Sequence, residues 1–300
     1  MRRACLTWLL PLLAGLCGCG ERVSSGAAAA EGAPPARVLP TTTGAADLVL
    51  ALIAPERVVG VPKPYLEFAV EEGAKWPEDR VFTQFTAEVL LAWDPDLVVT
   101  GSWQSQDTIS WLERSGVKVL RLPTIKSLDD IRASIRSLGA ALSAEERAAD
   151  LLQEIERRNQ ALRESSGPRR TLTALAYTNF GSGGWAAGKA TTADLMIRLT
   201  GLQNAAGGDR QEGHASINIE ELLELDPDFL VVSRPSDAYG ATLAFLRAEP
   251  ALAHLSCLKN GRVIELPSAL YSSSSHHLLT AAEFLASAVD DLLTTDPSGE

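Results

Sequence analysis

Gly183-Gly-Trp-Ala-Ala-Gly-Lys-Ala190 comes within one residue of a loop that cradles phosphate groups. Such a loop needs Ser or Thr after its lysine to hold Mg²⁺, but Ala190 stands there and Thr191 is one place late. Nucleotide chemistry is therefore not expected, whereas a glycine-rich loop beside a cleft is. His276-His277 resembles a metal pair, yet adjacent side chains on a helix diverge by about 100° and rarely share one ion. The chain has four histidines, and His254 falls in a separate helical segment. Zn²⁺ or Mn²⁺ capture wants three or four converging ligands. Neither a Gly-x-Ser-x-Gly elbow nor a His-Glu-x-x-His pair occurs, so hydrolytic chemistry lacks its motif. Trp103 (in Thr100-Gly-Ser-Trp-Gln-Ser105, just past a strand) and Trp185 (in Gly181-Ser-Gly-Gly-Trp185) sit in polar, glycine-rich settings that suit a binding surface. Trp93 and Trp111 lie on helices at core spacing and are expected to pack inside, as is Cys257 between Leu255 and Leu258.

An α/β scaffold has to position these residues. Strands are expected at Arg57–Val61, Leu97–Thr100, Val117–Leu122, Leu172–Tyr177, Phe229–Ser233 and Val263–Leu266. Helices are expected at Ala45–Ile53, Ala87–Trp93, Asp107–Ser115, Leu128–Leu142, Ala190–Leu199, Ile219–Leu225 and His277–Leu293. That alternation implies parallel sheets covered by helices. Glu88-Val-Leu-Leu-Ala-Trp-Asp-Pro-Asp-Leu-Val-Val99 aligns without a gap on Glu220-Glu-Leu-Leu-Glu-Leu-Asp-Pro-Asp-Phe-Leu-Val231. In each copy a helix stops at proline and a buried strand follows, and the repetition suggests two similar lobes. Between them, Ser143 to Ser165 reads as one long helix. Ser143 and Glu146 have capping-box spacing, Ala148, Leu151, Leu152, Ile155 and Leu162 share a face, and Gly167-Pro168 ends the run. A single stiff helix between lobes favours small rocking over large closure.

Arg2 and Arg3, the apolar run Leu6 to Leu16 and the ending Leu16-Cys17-Gly18-Cys19 read as a secretory signal, too short for a stable span. The ending resembles a bacterial lipobox with Cys19 as the lipidated residue, since the large Leu16 would otherwise sit at the cleavage position before Cys17. Residues 1–18 are thus expected to be a signal peptide and 19–36 a flexible lipidated tether. The lobes are expected at 37–142 and 167–300, with the connecting helix at 143–166. A net charge of −11 disfavours a nucleic-acid partner, and a hydrophobic content of 46% is ample for a core. With Cys5 and Cys17 lost and Cys19 lipidated, Cys257 is left without a disulfide partner.

Lipobox, tether, lobe, long helix and lobe together resemble the substrate-binding lipoproteins of ABC importers, within the group handling cobalamin, haem and ferric siderophores. Glu56-Arg-Val-Val-Gly-Val61, Ser115-Gly-Val-Lys-Val119, Trp185-Ala-Ala-Gly-Lys189, Gly201-Leu-Gln-Asn204, Ile217-Asn-Ile-Glu-Glu221 and Gly261-Arg-Val-Ile-Glu-Leu-Pro267 carry the resemblance. It implies an α/β fold with a ligand cleft between the lobes, a membrane-side location through the lipid anchor, and a permease with its ATPase as partners. No catalytic activity and no resident cofactor are implied; the metal complex is cargo. A sensor or scaffold lipoprotein of the same fold, or an enzyme built on it, are the alternatives. Family contacts on strand-end loops carry over to Tyr65, Phe82, Trp103, Trp185, His214, Tyr239 and Tyr271, aromatics suited to a flat macrocycle or catecholate. His214, just before Ile217-Asn-Ile-Glu220, could stack, donate a hydrogen bond or ligate haem iron. The family's docking carboxylates, one per lobe, fall on Glu88 and Glu220; solvation or a favourable charge at a helix start is the bland alternative. Cleft arginine candidates are few, Arg210 and Arg234, which favours a weakly charged corrinoid over an anionic siderophore.

Overall fold

The computed structural model describes residues 33–70, 76–179, 184–208, 211–235 and 242–295. The first lobe runs β1 (Val38–Pro40), α1 (Thr43–Leu52), β2 (Val61–Pro62), α2 (Lys63–Phe68), β3 (Val81–Phe82), α3 (Ala87–Leu91), β4 (Leu97–Thr100), α4 (Gln106–Arg114), β5 (Lys118–Arg121) and α5 (Leu128–Leu142). The long helix α6 (Glu145–Ser165) follows. The second lobe begins with β6 (Thr173–Asn179), β7 (Gly184–Ala187), α7 (Thr192–Leu199), β8 (Gln203–Asn204), β9 (His214–Ile217), α8 (Ile219–Leu225) and β10 (Phe229–Ser233). It ends with α9 (Thr242–Ala248), α10 (Ser256–Lys259), β11 (Val263–Leu266), α11 (Ser268–Tyr271) and α12 (Leu278–Thr295).

The fold is α/β, with two lobes on largely parallel sheets. In the first, β4 lies between β1 and β5, parallel to both, and β2 pairs with β3. In the second, β10 lies between β11 and β6, again in parallel. Beyond β6 the sheet becomes mixed: β8 joins its start in parallel, while β7 and β9 extend its far end antiparallel. Side chains alternate between two cores, as strands covered on both faces require. Leu97 and Val99 join a large core with α1, α5, α6, α7 and α12, whereas Val98 joins Leu39, Phe82, Leu90 and Leu112. In β10, Phe229 and Val231 enter that same large core while Leu230 and Val232 face a third cluster. One core is thus continuous through both lobes and the connecting helix.

The internal repeat has a structural counterpart. Each helix runs into an aspartate in the left-handed region, Asp94 (φ 48°) and Asp226 (φ 31°), before its proline and strand. The second aspartate then tethers the neighbouring strand. Asp96 accepts the backbone N–H of Ala36 and Arg37 at 2.8 and 2.9 Å, and Asp228 accepts the N–H of Thr173 at 2.7 Å and its hydroxyl at 2.9 Å.

Four expectations need correction. In place of the strand expected at Arg57–Val61 there is a 3₁₀ turn over Pro55–Arg57, a single bridge from Val58 to Val38, and β2 starting only at Val61. The capping box at Ser143 and Glu146 is absent: Ser143 (φ 52°) instead closes α5, and α6 starts from Ala144 without a side-chain cap. The two helices turn too tightly for a cap, and Gly139 permits their approach, since a Cβ there would lie 2.6 Å from that of Ala148. Trp111 is 58% exposed, because α4 buries only Ile109 and Leu112, and Arg114 stacks on its ring at 4.7 Å. The supposed glycine-rich cleft loop is, over Gly184–Ala187, a strand paired on both sides. Trp93, just past α3, is half-buried against Phe82, and Cys257 is fully buried. Burial, with Asp226 and Asp228 adding to it, pushes the Cys257 thiol up to about 12.

Candidate functional site

Open α/β sheets hold ligands beyond the C-terminal ends of their strands. In the first lobe, β1 leads to Thr41, whose hydroxyl donates to Thr100 at 2.8 Å, and to Thr42, which caps α1 by accepting the N–H of Ala45. β4 leads to Gly101-Ser-Trp103, and β5 to Leu122–Lys126, which ends at the capping box of Ser127 and Asp130 on α5. The Ser102 and Thr124 hydroxyls join these two loops at 2.7 Å. From the second lobe come the turn before α7, capped by Thr191, and the segment leading into β9. Ser274 comes up beneath α1, where Gly44 alone leaves room: a Cβ would lie 2.4 Å from its hydroxyl.

These loops enclose a cavity of about 480 Å³ whose lining includes Trp103, Thr124, Lys126, Thr192, Glu212 and His214. Lys126 Nζ and Glu212 Oε1, 3.3 Å apart, connect the two lobes across it. Both groups are solvated, so the pair contributes at most about 1 kcal/mol. Arg198 donates to the Lys126 carbonyl at 3.3 Å and steadies the same loop. Trp103 is 55% exposed and braced edge-on by Phe85 at 5.2 Å, which meets Phe82 at 5.5 Å and through it Trp93 at 5.9 Å. An aromatic column therefore runs from the cavity wall into the core. Gln104 donates to the Phe85 carbonyl at 3.2 Å and fixes the column's middle.

Of the aromatics expected to touch a ligand, the cavity brings together Trp103 and His214. Phe82 lies behind Trp103 as part of its support, and Tyr65 is buried in the main core. Trp185 is exposed on β7 opposite Thr178 and Ser216, outside the cavity lining. Tyr271 on α11 hydrogen-bonds the Thr178 hydroxyl at 3.0 Å and is also not a lining residue. Arg234 sits with its guanidinium 6.0 Å from the Phe284 ring centre. Tyr239, Arg210 and Cys19 lie outside the described residues. Lys126 and Glu212 were not anticipated; the capping spacing of Ser127 and Asp130, which marks where β5 hands over to α5, is the signal that could have drawn attention to Lys126.

Glu88 and Glu220 are both exposed at the second position of their helices, α3 and α8. His276 and His277 stack with ring centres 4.0 Å apart. Burial, then the neighbouring ring, then Arg158 lower His276 to about 3; burial and Arg158 lower His277 to about 4. Among the described residues no three His, Cys, Asp or Glu side chains converge as a metal site, and no helix is long and apolar enough to cross a membrane.

The periplasmic binding protein family matches residues 38–270. The cobalamin-binding protein of Halobacterium salinarum is 24% identical over 217 residues, 71% of this chain and 58% of the relative. The uncharacterized ABC transporter substrate-binding lipoprotein YvrC of Bacillus subtilis is 22% identical over 208 residues, 67% of this chain and 64% of its own length. The chain thus spans less than two thirds of the length of the curated relatives it matches. Among solved structures, the periplasmic haem-binding protein BhuT, in complex with two haems, is 26% identical with a TM-score of 0.74, covering 86% of this chain and 98% of that one.

Proposed function

The chain belongs to the periplasmic binding protein family, and from that premise we propose that it is a solute-binding lipoprotein serving an ABC importer. Its cargo is a chelated metal complex: cobalamin or another corrinoid, haem, or a ferric siderophore. The observation that carries this reading is the cavity of about 480 Å³ at the strand ends, with a rigidly braced indole on one side and His214 from the other lobe. A planar macrocycle gains most from a rigid apolar face with a few polar groups around it, and that is what these residues supply. The names of the relatives, cobalamin-binding and haem-binding, point to the same class of cargo. Among the described lining residues Lys126 is the one permanent cation, and Glu212 offsets it, which favours a weakly charged corrinoid within that class.

Further parts of the proposal rest on the resemblance. The chain is anchored by lipid on Cys19 on the outer side of a membrane, with 19–36 as tether. The lobes 37–142 and 167–300 rock slightly about 143–166, consistent with a core continuous through all three. The protein binds and releases without catalysis. Glu88 and Glu220, at the same position of repeated helices, meet basic residues of the permease.

Tryptophan-fluorescence titration against cobalamin, haem and several ferric siderophores, corrected for ligand absorbance, tests the reading. Saturable quenching by one member supports it; no saturable response to any member counts against it. For docking, the Glu88→Ala/Glu220→Ala chain should bind normally yet deliver cargo to the cell slowly, and normal uptake would dismiss that role.

A further inference from the structure

A second concavity of about 640 Å³ lies between α5, α6 and α7, and its character is opposite to that of the protein as a whole. The chain carries a net charge of −11, yet four arginines line this groove against two carboxylates. The side chains arrive by helical spacing: Asp129, Arg132 and Arg136 on α5, Glu156 and Arg163 on α6, and Arg198 on α7. Arg132 is committed to both Asp129 and Glu156, and Arg198 to Asp194 at 3.0 Å. Arg136 and Arg163 are exposed, and no guanidinium hydrogen bond or ion pair involves either among the described residues. Both carboxylates of the groove are thus used up on one arginine, and two planar donor forks are left facing the same space. Guanidinium forks match the oxygens of a phosphate group bidentately, and two converging forks suit an anion carrying more than one such oxygen pair.

We propose that this groove is a binding site for a phosphate-bearing anion, held by Arg136 and Arg163, with Arg132 and Arg198 adding positive charge to the same lining. It is distinct from the cavity at the strand ends, and no ligand of that cavity is needed for it. A free polyphosphate and the headgroup of an anionic phospholipid share the required chemistry. Asn159, almost fully buried on α6, adds an uncharged amide to the lining.

The test uses the full chain in two arms. In the first, thermal unfolding is followed with increasing inorganic pyrophosphate and with NaCl at matched ionic strength. In the second, co-sedimentation is measured with phosphatidylglycerol vesicles and with phosphatidylcholine vesicles. Arg136→Ala/Arg163→Ala should weaken the pyrophosphate effect or the preference for anionic vesicles at least tenfold. Arg157→Ala, whose guanidinium pairs with Glu154 outside the groove, should leave both unchanged. The arm that depends on Arg136 and Arg163 identifies the source of the phosphate. A pyrophosphate effect that NaCl reproduces is ionic strength alone and does not count as a positive arm; if neither arm then distinguishes the double variant from the parent chain, the proposal is wrong.

Discussion

Acidification from pH 7 to pH 5 should destabilise this protein through His276 and His277 before its carboxylates titrate. Both rings are half-buried, stacked on each other and close to Arg158, which is itself held by Glu283 at 2.6 Å and Thr280 at 2.8 Å. His276 Nδ1 has no hydrogen-bond partner among the described residues, so an added proton there gains no hydrogen bond from them in exchange for its desolvation. The folded-state values of about 3 and about 4 lie below the usual unfolded value of about 6.5. Above pH 6.5 both states hold neutral rings and stability is complete. Below it the unfolded chain takes up protons that the folded chain refuses, and stability falls until the folded rings titrate. Each histidine contributes a slope approaching 1.4 kcal/mol per pH unit, or about 2 kcal/mol between pH 7 and pH 5. Denaturant unfolding at pH 7, 6 and 5 on the parent chain and on His276→Gln/His277→Gln isolates the effect, since the carboxylates are common to both. The parent should lose about 2 to 4 kcal/mol more than the variant across that range. Equal losses in the two chains would refute the argument.

Trp103→Ala should weaken ligand binding at least about tenfold, near 1.4 kcal/mol, while Trp185→Ala, outside the cavity lining, should change it far less. Equilibrium binding of both variants decides the ranking. Asp290→Ala should cost about 3 kcal/mol by denaturant unfolding, because it leaves the fully buried Arg169 guanidinium without its carboxylate. Asp290 is itself partly exposed, and water reaching that side moderates the loss. A chain beginning at Glu21 keeps Cys257 as its one thiol, and that thiol should resist a disulfide reagent at pH 8 until the protein is unfolded, as a thiol near 12 has almost no thiolate.

Much of the scaffold was legible because local pattern and tertiary demand agree. Phe229–Ser233, Val263–Leu266, Leu128–Leu142 and Ile219–Leu225 fall where periodicity places them. The Asp-Pro-Asp repeat was legible as two similar units, but not the job of its second aspartate, since a carboxylate does not announce which strand end lies beside it. β1 is only three residues long, and β7, written Gly-Trp-Ala-Ala, has neither branched residues nor a clean alternation, so neither signals a strand. Ser143 fits a capping box by spacing, but the close packing of Ala148 against Gly139 selects a tight turn instead. Of the cavity's lining residues, Trp103 is marked in the sequence by its polar, glycine-rich setting just past a strand, and His214 by the family resemblance. Phe82 and Tyr65 sit near strand ends too, but their burial depends on which way the chain turns next, which their own neighbours do not encode.

Under the proposed function, the chelated metal complex occupies the cavity where the strand ends of both lobes meet. Hydrogen exchange of the backbone, measured with and without the ligand that quenches tryptophan fluorescence, tests it most directly. Protection should appear together at 101–103, 122–126, 190–192 and 212–214, the lining segments from both lobes. Protection confined to one lobe, or located away from these segments while binding is saturated, would contradict the account.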